Sequence, residues 1–397
     1  MKTAGWLRVA AIAALLTVGC GAVAPTAAKL TPAPTAVASS DPSPVASSSP
    51  TPTPSSHPTP KVTPRPTQPH SCPVQTASSM SSTRNLALVN LRGSYDMVVR
   101  DITDIGHATT VGNLGQLSVA TFVSAAEVSY ATDSGLVCAP LTGSPLTAAT
   151  TKTGFVNSFA WSPDGSAVVY LTASASGVGT LHQLSGGRDQ VLTGTLPASP
   201  AVGCETQFCS LTDSWDFGVS YSPDGKTISL VDSVLSVSAF RLWSSGGKVL
   251  NKSDSLSRSM SAWSGDTFYF GGKGVEVWRA GVTSSFLSGV SWIRPKASPT
   301  GGKIVYATRD AQGWHHTFVL DIATKQVREL KKGRSEPAFL TSRYIWYKGE
   351  RACVAADYCP TGWAVAESGK TYIYDLQTGT ETESVITHVF DVWPHPA

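Results

Sequence analysis

Short apolar runs, each about five residues long, recur along much of the chain and are separated by Gly, Asp, Ser and Pro. Ala167-Val168-Val169-Tyr170-Leu171, Thr227-Ile228-Ser229-Leu230-Val231, Thr267-Phe268-Tyr269-Phe270 and Lys303-Ile304-Val305-Tyr306-Ala307 are four of them. Their length and their β-branched and aromatic content predict strands, and long helical periodicity is missing. Two different patterns precede them. Val9 to Val18 is one short apolar stretch behind Lys2 and Arg8. That is the layout of a secretory signal peptide, and it falls short of the roughly 20 apolar residues a membrane-spanning helix needs. From residue 20 to about 75 apolar positions thin out, and Pro, Ser, Thr and Ala dominate. Fourteen of the 26 prolines lie between Pro25 and Pro73. Such a segment has too little to bury to offset its ordering entropy. It predicts a disordered, extended stalk with a reach on the order of 150 Å. Glycosylation on its Ser and Thr is compatible with that composition, and distance alone is its simplest role. The chain therefore divides into a signal peptide (1–19), a stalk (20–75) and a folded body (76–397).

Within the body the strands come in repeating units. Phe159-Ala160-Trp161-Ser162-Pro163-Asp164-Gly165-Ser166 leads into the run at 167–171. Val219-Ser220-Tyr221-Ser222-Pro223-Asp224-Gly225-Lys226 leads into 227–231. Pro163 and Pro223 preset φ at the first corner of a tight turn. Asp164 and Asp224 can accept from nearby backbone N–H groups, and Gly165 and Gly225 tolerate the positive φ that reverses the chain. These six residues read as turn-formers, and the two aspartates as turn residues in preference to metal ligands. Weaker copies are Ser261-Ala262-Trp263-Ser264-Gly265-Asp266, Lys296-Ala297-Ser298-Pro299-Thr300-Gly301-Gly302 and Ser335-Glu336-Pro337-Ala338-Phe339-Leu340. Trp161, Tyr221 and Trp263 recur at one place in the unit, which points to packing between units. A second signature, a strand ending in Asp-apolar-x-Thr, occurs at Phe318–Lys325 and Tyr372–Gly379, with a looser copy at Val98–Thr103. Four strands per unit and a period of about 44 residues fit a β-propeller blade.

The Trp-Ser-Pro-Asp-Gly unit with its following strand resembles the WD-repeat-like blades of TolB-type propellers, and also the propeller domain of prolyl-oligopeptidase-type enzymes. The resemblance runs from about residue 85 to the C-terminus, and it implies a fold rather than an activity. The expectation is an all-β chain with a single β-propeller of seven four-stranded blades, six and eight being the alternatives. Inner strands are expected near 120–125, 157–162, 217–222, 259–264, 294–298 and 335–340. The seventh is Val389-Phe390-Asp391-Val392-Trp393-Pro394, which would close the ring by completing a first blade built from 86–91, 97–102 and 109–114. Closure removes free sheet edges.

Cysteines and charge refine the setting. Cys20 follows Leu15-Leu16-Thr17-Val18-Gly19 and resembles a bacterial lipobox, with Thr17 where Leu is usual. The resemblance implies lipidation of Cys20 and an extracytoplasmic protein held to the bacterial membrane by its N-terminal lipid. An ordinary secreted protein is the alternative. Export lets disulfides persist, and six cysteines remain. Cys204 with Cys209 and Cys353 with Cys359 are close pairs suited to pinning loops, which leaves Cys72 with Cys138. Fifteen pairings are formally open. The spacings do not match a zinc site, and no His lies close to either pair. Once the signal and stalk charges are set aside, the body carries a net charge of about −1, without the basic footprint of a nucleic-acid binder.

No catalytic constellation is legible. There is no Gly-x-Ser-x-Gly elbow, no His-Glu-x-x-His and no phosphate-binding Gly loop with Lys. No hydrolase domain is expected after the propeller. His315 and His316 are adjacent on a strand, so they point to opposite faces and make a poor metal pair. The predicted inner strands read mostly as Ser, Ala and Val. No cofactor and no metal is expected. The candidate functional surface is instead the pair of long insertions. One spans 201–216, with Trp215 and Asp216. The other spans 348–370, with Glu350, Arg351, Asp357, Tyr358 and Trp363. Both set aromatic residues beside charge, as binding surfaces do, and a local disulfide would lower the entropy lost on binding. Their simplest alternative role is to brace exposed loops. The leading functional expectation is a monomeric, non-catalytic propeller that binds a protein or an envelope glycan. The alternatives are a glycan lyase or hydrolase working in the central funnel, and an accessory or sensor ectodomain for a small ligand.

Overall fold

The computed structural model describes residues 83–395, apart from 118, 133–134, 142–148, 152–155, 174–177, 198–217, 232–239, 254–259, 272–273 and 355–363. The described residues form strands throughout, with a single short 3-10 turn at Ile105–His107. In chain order the first strands are β1 (Leu86–Leu91), β2 (Met97–Asp101) and β3 (Thr109–Gly115). Next come β4 (Ala120–Ser124), β5 (Glu127–Thr132), β6 (Gly135–Pro140) and β7 (Ala149–Thr151), then β8 (Val156–Trp161), β9 (Ala167–Ala173), β10 (Val178–Ser185) and β11 (Arg188–Pro197). The middle of the body holds β12 (Gly218–Tyr221), β13 (Thr227–Val231), β14 (Phe240–Ser244) and β15 (Val249–Ser253), followed by β16 (Ser261–Ser264), β17 (Thr267–Gly271), β18 (Gly274–Arg279) and β19 (Val282–Ser288). The last are β20 (Ile293–Ala297), β21 (Lys303–Arg309), β22 (His315–Asp321), β23 (Val327–Lys332), β24 (Arg334–Phe339), β25 (Tyr344–Ala352), β26 (Ala364–Asp375), β27 (Glu381–Glu383) and β28 (Ile386–Trp393).

These strands make seven four-stranded antiparallel sheets. Six contain four consecutive strands. The seventh has the order β28-β1-β2-β3, so the last strand of the chain completes the first sheet. The fold is a seven-bladed β-propeller closed by its C-terminal strand. We number the β28-β1-β2-β3 sheet blade 1, and the rest blades 2 to 7 in chain order. Neighbouring first strands approach one another, β8 beside β12, β16 beside β20, β20 beside β24 and β28 beside β4, so they form the inner wall of the ring.

The turns that drew attention in the sequence do set the blades. Ser162 Oγ donates to Asp164 Oδ1 at 2.6 Å, and the same carboxylate oxygen accepts from Ser166 N at 3.1 Å. Gly165 takes φ +67°. Asp224 repeats this with Ser222 (2.6 Å) and Lys226 N (3.1 Å), and Gly225 has φ +70°. The Ser162 and Ser222 hydroxyls each accept from the N–H five residues on, at 2.9 Å, tying the turn to the next strand. Between blades the apolar faces interlock. Trp263 of blade 5 packs with Val231, Phe240 and Leu242 of blade 4, and its Nε1 donates to the buried Ser229 Oγ at 2.9 Å. Tyr221 packs against Val169, Leu171 and Leu181 of blade 3, and Trp161 against Val123 and Cys138 of blade 2.

Strand direction assigns every connection to one of two faces. In each blade the chain runs down the first strand, up the second, down the third and up the fourth. The Ser-Pro-Asp-Gly turns and the third-to-fourth turns therefore share one face, here the turn face. The second-to-third connections and the links between blades share the other, here the entry face, where each inner strand begins.

Candidate functional site

The two long insertions singled out in the sequence leave and re-enter the propeller on the same face. One joins the end of β11 at Pro197 to the start of β12 at Gly218. The other joins the end of β25 at Ala352 to the start of β26 at Ala364. Both junctions lie on the entry face. Trp215, Asp216, Asp357, Tyr358 and Trp363 themselves lie outside the described residues, as do Cys20, Cys72, Cys204, Cys209 and Cys359. Cys138, on the third strand of blade 2, and Cys353, just past β25, are both disulfide-bonded.

Glu350 and Arg351 are placed at the entry-face end of β25. The Glu350 side chain is only 4% exposed. Its carboxylate accepts from His315 N at 2.9 Å and lies 2.5 Å from His315 Nδ1. Backbone bonds from Gly333 N to His315 O (2.8 Å) and from Glu350 N to Gly333 O (3.1 Å) continue this seam between blades 6 and 7. Arg351 is half-buried, and its Nη1 donates to Ala352 O at 3.1 Å. His316 points the other way, as alternation along a strand requires. It lies 2.8 Å from Glu329 and 3.1 Å from Asp310, which also accepts from Lys332 Nζ at 2.8 Å. Burial lowers the His316 pKa, but the two carboxylates outweigh it and hold the imidazole above its ordinary value. Among the described residues no group of three or more His, Cys, Asp or Glu is arranged to hold a metal ion.

A second cluster lies further in, and the sequence pattern did not reveal it. In β20 and β24 the register against the neighbouring strand slips, between Ile293 and Lys296 in one and between Ser335 and Ala338 in the other. Each slip is a bulge holding a charged residue followed by proline: Arg294-Pro295 and Glu336-Pro337. Arg294 has φ +49° and Glu336 φ +51°. A non-glycine residue in this region costs about 1–3 kcal/mol, and proline next in the chain disfavours it further. The two strained residues meet. Arg294 Nη1 lies 3.0 Å from Glu336 Oε2, and Lys348 Nζ of β25 lies 2.6 Å from the same oxygen. The three side chains are 26%, 25% and 23% exposed. Burial pushes the Glu336 carboxyl up. Lys348 and Arg294, with a smaller contribution from His388 of β28, more than reverse that and hold it below the usual carboxylate range. Inner strands of blades 6 and 7 thus carry opposite charges at the entry end of the channel. On blades 3 to 5 the inner strands carry Ser158, Ser220, Ser261 and Ala262.

Solved structures resemble this arrangement of strands. A TolB structure from Acinetobacter baumannii matches at 16% identity and a TM-score of 0.42, over 78% of this chain and 65% of that one. The chain therefore spans less than two thirds of that protein. A protein described as TolB from Agrobacterium tumefaciens matches at 15% identity and a TM-score of 0.38, over 76% of this chain and 88% of its own. The tricorn protease matches at 9% identity and a TM-score of 0.43, over 78% of this chain and 36% of that one. The likeness is one of fold. No protein-family description and no curated protein matches the sequence. The seven-bladed propeller is thus fixed by its own strand order, and its site by its own residues.

Proposed function

We propose that this protein is a lipid-anchored, extracytoplasmic binding propeller that uses its entry face to hold another protein or an envelope glycan. One observation carries the reading: both long insertions and the Arg294–Glu336–Lys348 cluster belong to the entry-face ends of the strands. A rigid ring that gathers its longest loops and a strained charge cluster on one face has the build of a recognition surface. In this reading Cys20 carries the lipid and residues 20–75 hold the propeller away from the membrane. Disulfides Cys204–Cys209 and Cys353–Cys359 pin the two insertions, and Cys72–Cys138 ties the start of the body to blade 2. Trp215, Asp216, Asp357, Tyr358 and Trp363 supply contacts from the insertions.

The test is recovery of partners from solubilised envelope with the full chain, against a version in which residues 353–363, the connection between β25 and β26, are replaced by a short turn. Loss of the specific partner from the replaced version is the expected result. Equal recovery by both versions rules this insertion out as the main binding surface.

A further inference from the structure

We propose that the entry-face end of the channel, between blades 6 and 7, binds a carboxylate of an acidic polypeptide segment, in the place the Glu336 side chain now holds. This inference rests on the binding reading above and gives its partner a chemistry.

The backbone supplies the first argument. A propeller blade does not need a bulge here, because β12 and β16 run as inner strands in unbroken register with their neighbours. Blades 6 and 7 carry the same costly device, a charged residue with positive φ ahead of a proline. Strain of this kind persists only where the surroundings enforce it, and it gathers at ligand sites. What the strain achieves is to set Arg294 and Glu336, from two adjacent blades, 3.0 Å apart with Lys348 on the same oxygen.

The charges supply the second. Two cations converge on one carboxylate oxygen, so this triad carries a net positive charge. About a quarter of each side chain remains open to solvent. The geometry already accommodates a glutamate carboxylate, and an arginine fork can take another in its place. Exposed Lys331 at the same end of blade 6 would steer an acidic partner inward.

Neighbouring aromatics favour a polypeptide over a sugar. Glycan recognition uses an open aromatic face. Among the described residues here, Lys332 sits over the Trp314 ring at 5.9 Å, and Arg334 covers the Tyr372 ring at 4.0 Å.

The experiment measures binding of labelled hexaglutamate to the full chain by fluorescence anisotropy. Glu336→Gln removes the resident carboxylate and should tighten binding about tenfold. Lys348→Gln should weaken it about tenfold, and Lys348→Arg, which keeps the charge, should restore it. Raising NaCl from about 50 to about 300 mM should weaken binding to the wild type. Thermal melting of each variant checks folding, and hexaglutamate should raise the melting temperature of Glu336→Gln more than that of the wild type. If Glu336→Gln binds no tighter than the wild type, or Lys348→Gln no weaker, the proposal is overturned. Polygalacturonate binding as tightly, with the same dependence on Lys348, would assign the site to a glycan and overturn the polypeptide claim. Loss of partner recovery on replacing 353–363, with no hexaglutamate binding to the full wild-type chain, would sink this inference and leave the binding face standing.

Discussion

Asp391 joins the last strand to the second blade through a set of short contacts. Its Oδ2 accepts from Thr121 Oγ1 at 2.6 Å and from Phe122 N at 2.8 Å, and lies 3.0 Å from His395 Nε2. Burial pushes the Asp391 carboxyl up, but His395, Thr121 and the Phe122 N–H outweigh it and hold it below the ordinary range. Burial pushes His395 down, and Asp391 more than compensates, so the imidazole titrates above its usual value. The stabilisation from His395 is thus complete below its unfolded pKa of about 6.5 and is lost as the pH rises through the raised folded value. The Asp391 part is present above about 3.9 and is lost as the pH falls through the lowered one. His395→Gln should therefore cost about 1 kcal/mol near pH 5 and much less near pH 9. Thermal melts at the two pH values measure this, and an equal deficit at both would contradict the ion pair.

Closure is the property that matters at the scale of strands. β28 pairs with β1 along its length and contributes Phe390 and Trp393 to one core cluster and Ile386, Val389 and Val392 to another. Deleting residues 388–397 opens the ring and removes two buried aromatics, each worth about 3–5 kcal/mol. The truncated chain should lose its cooperative melt. A cooperative transition at the unchanged temperature would refute closure by β28. This architecture was largely legible in the sequence. Each expected inner strand falls within one to three residues of an observed one, because Ser-Pro-Asp-Gly turns pin strand ends and alternation pins faces. The triad at Arg294, Glu336 and Lys348 was not legible. A bulge breaks the period of two, so reading the inner strands as Ser, Ala and Val missed the charges set on them. The available signal was a charged residue before proline at the same offset in consecutive blades. Glu350 was singled out as a surface contact, and the structure places its side chain against His315, a pairing across blades that no local pattern encodes.

At the scale of the whole molecule the proposed binding role is directional, because the features that support it gather on the entry face. The entry face carries the ends of both long insertions and the strained triad. It also carries Tyr95, 86% exposed on the loop between β1 and β2. The turn face carries short, self-satisfied reversals such as 162–166, 222–226 and 244–248. The most direct test places a photocrosslinking side chain at position 95 in one version and at position 246, in the exposed turn between β14 and β15, in another. Both versions are irradiated in intact cells. A discrete adduct from position 95 and none from position 246 is the predicted result. An adduct from position 246 alone would contradict the assignment of the working face.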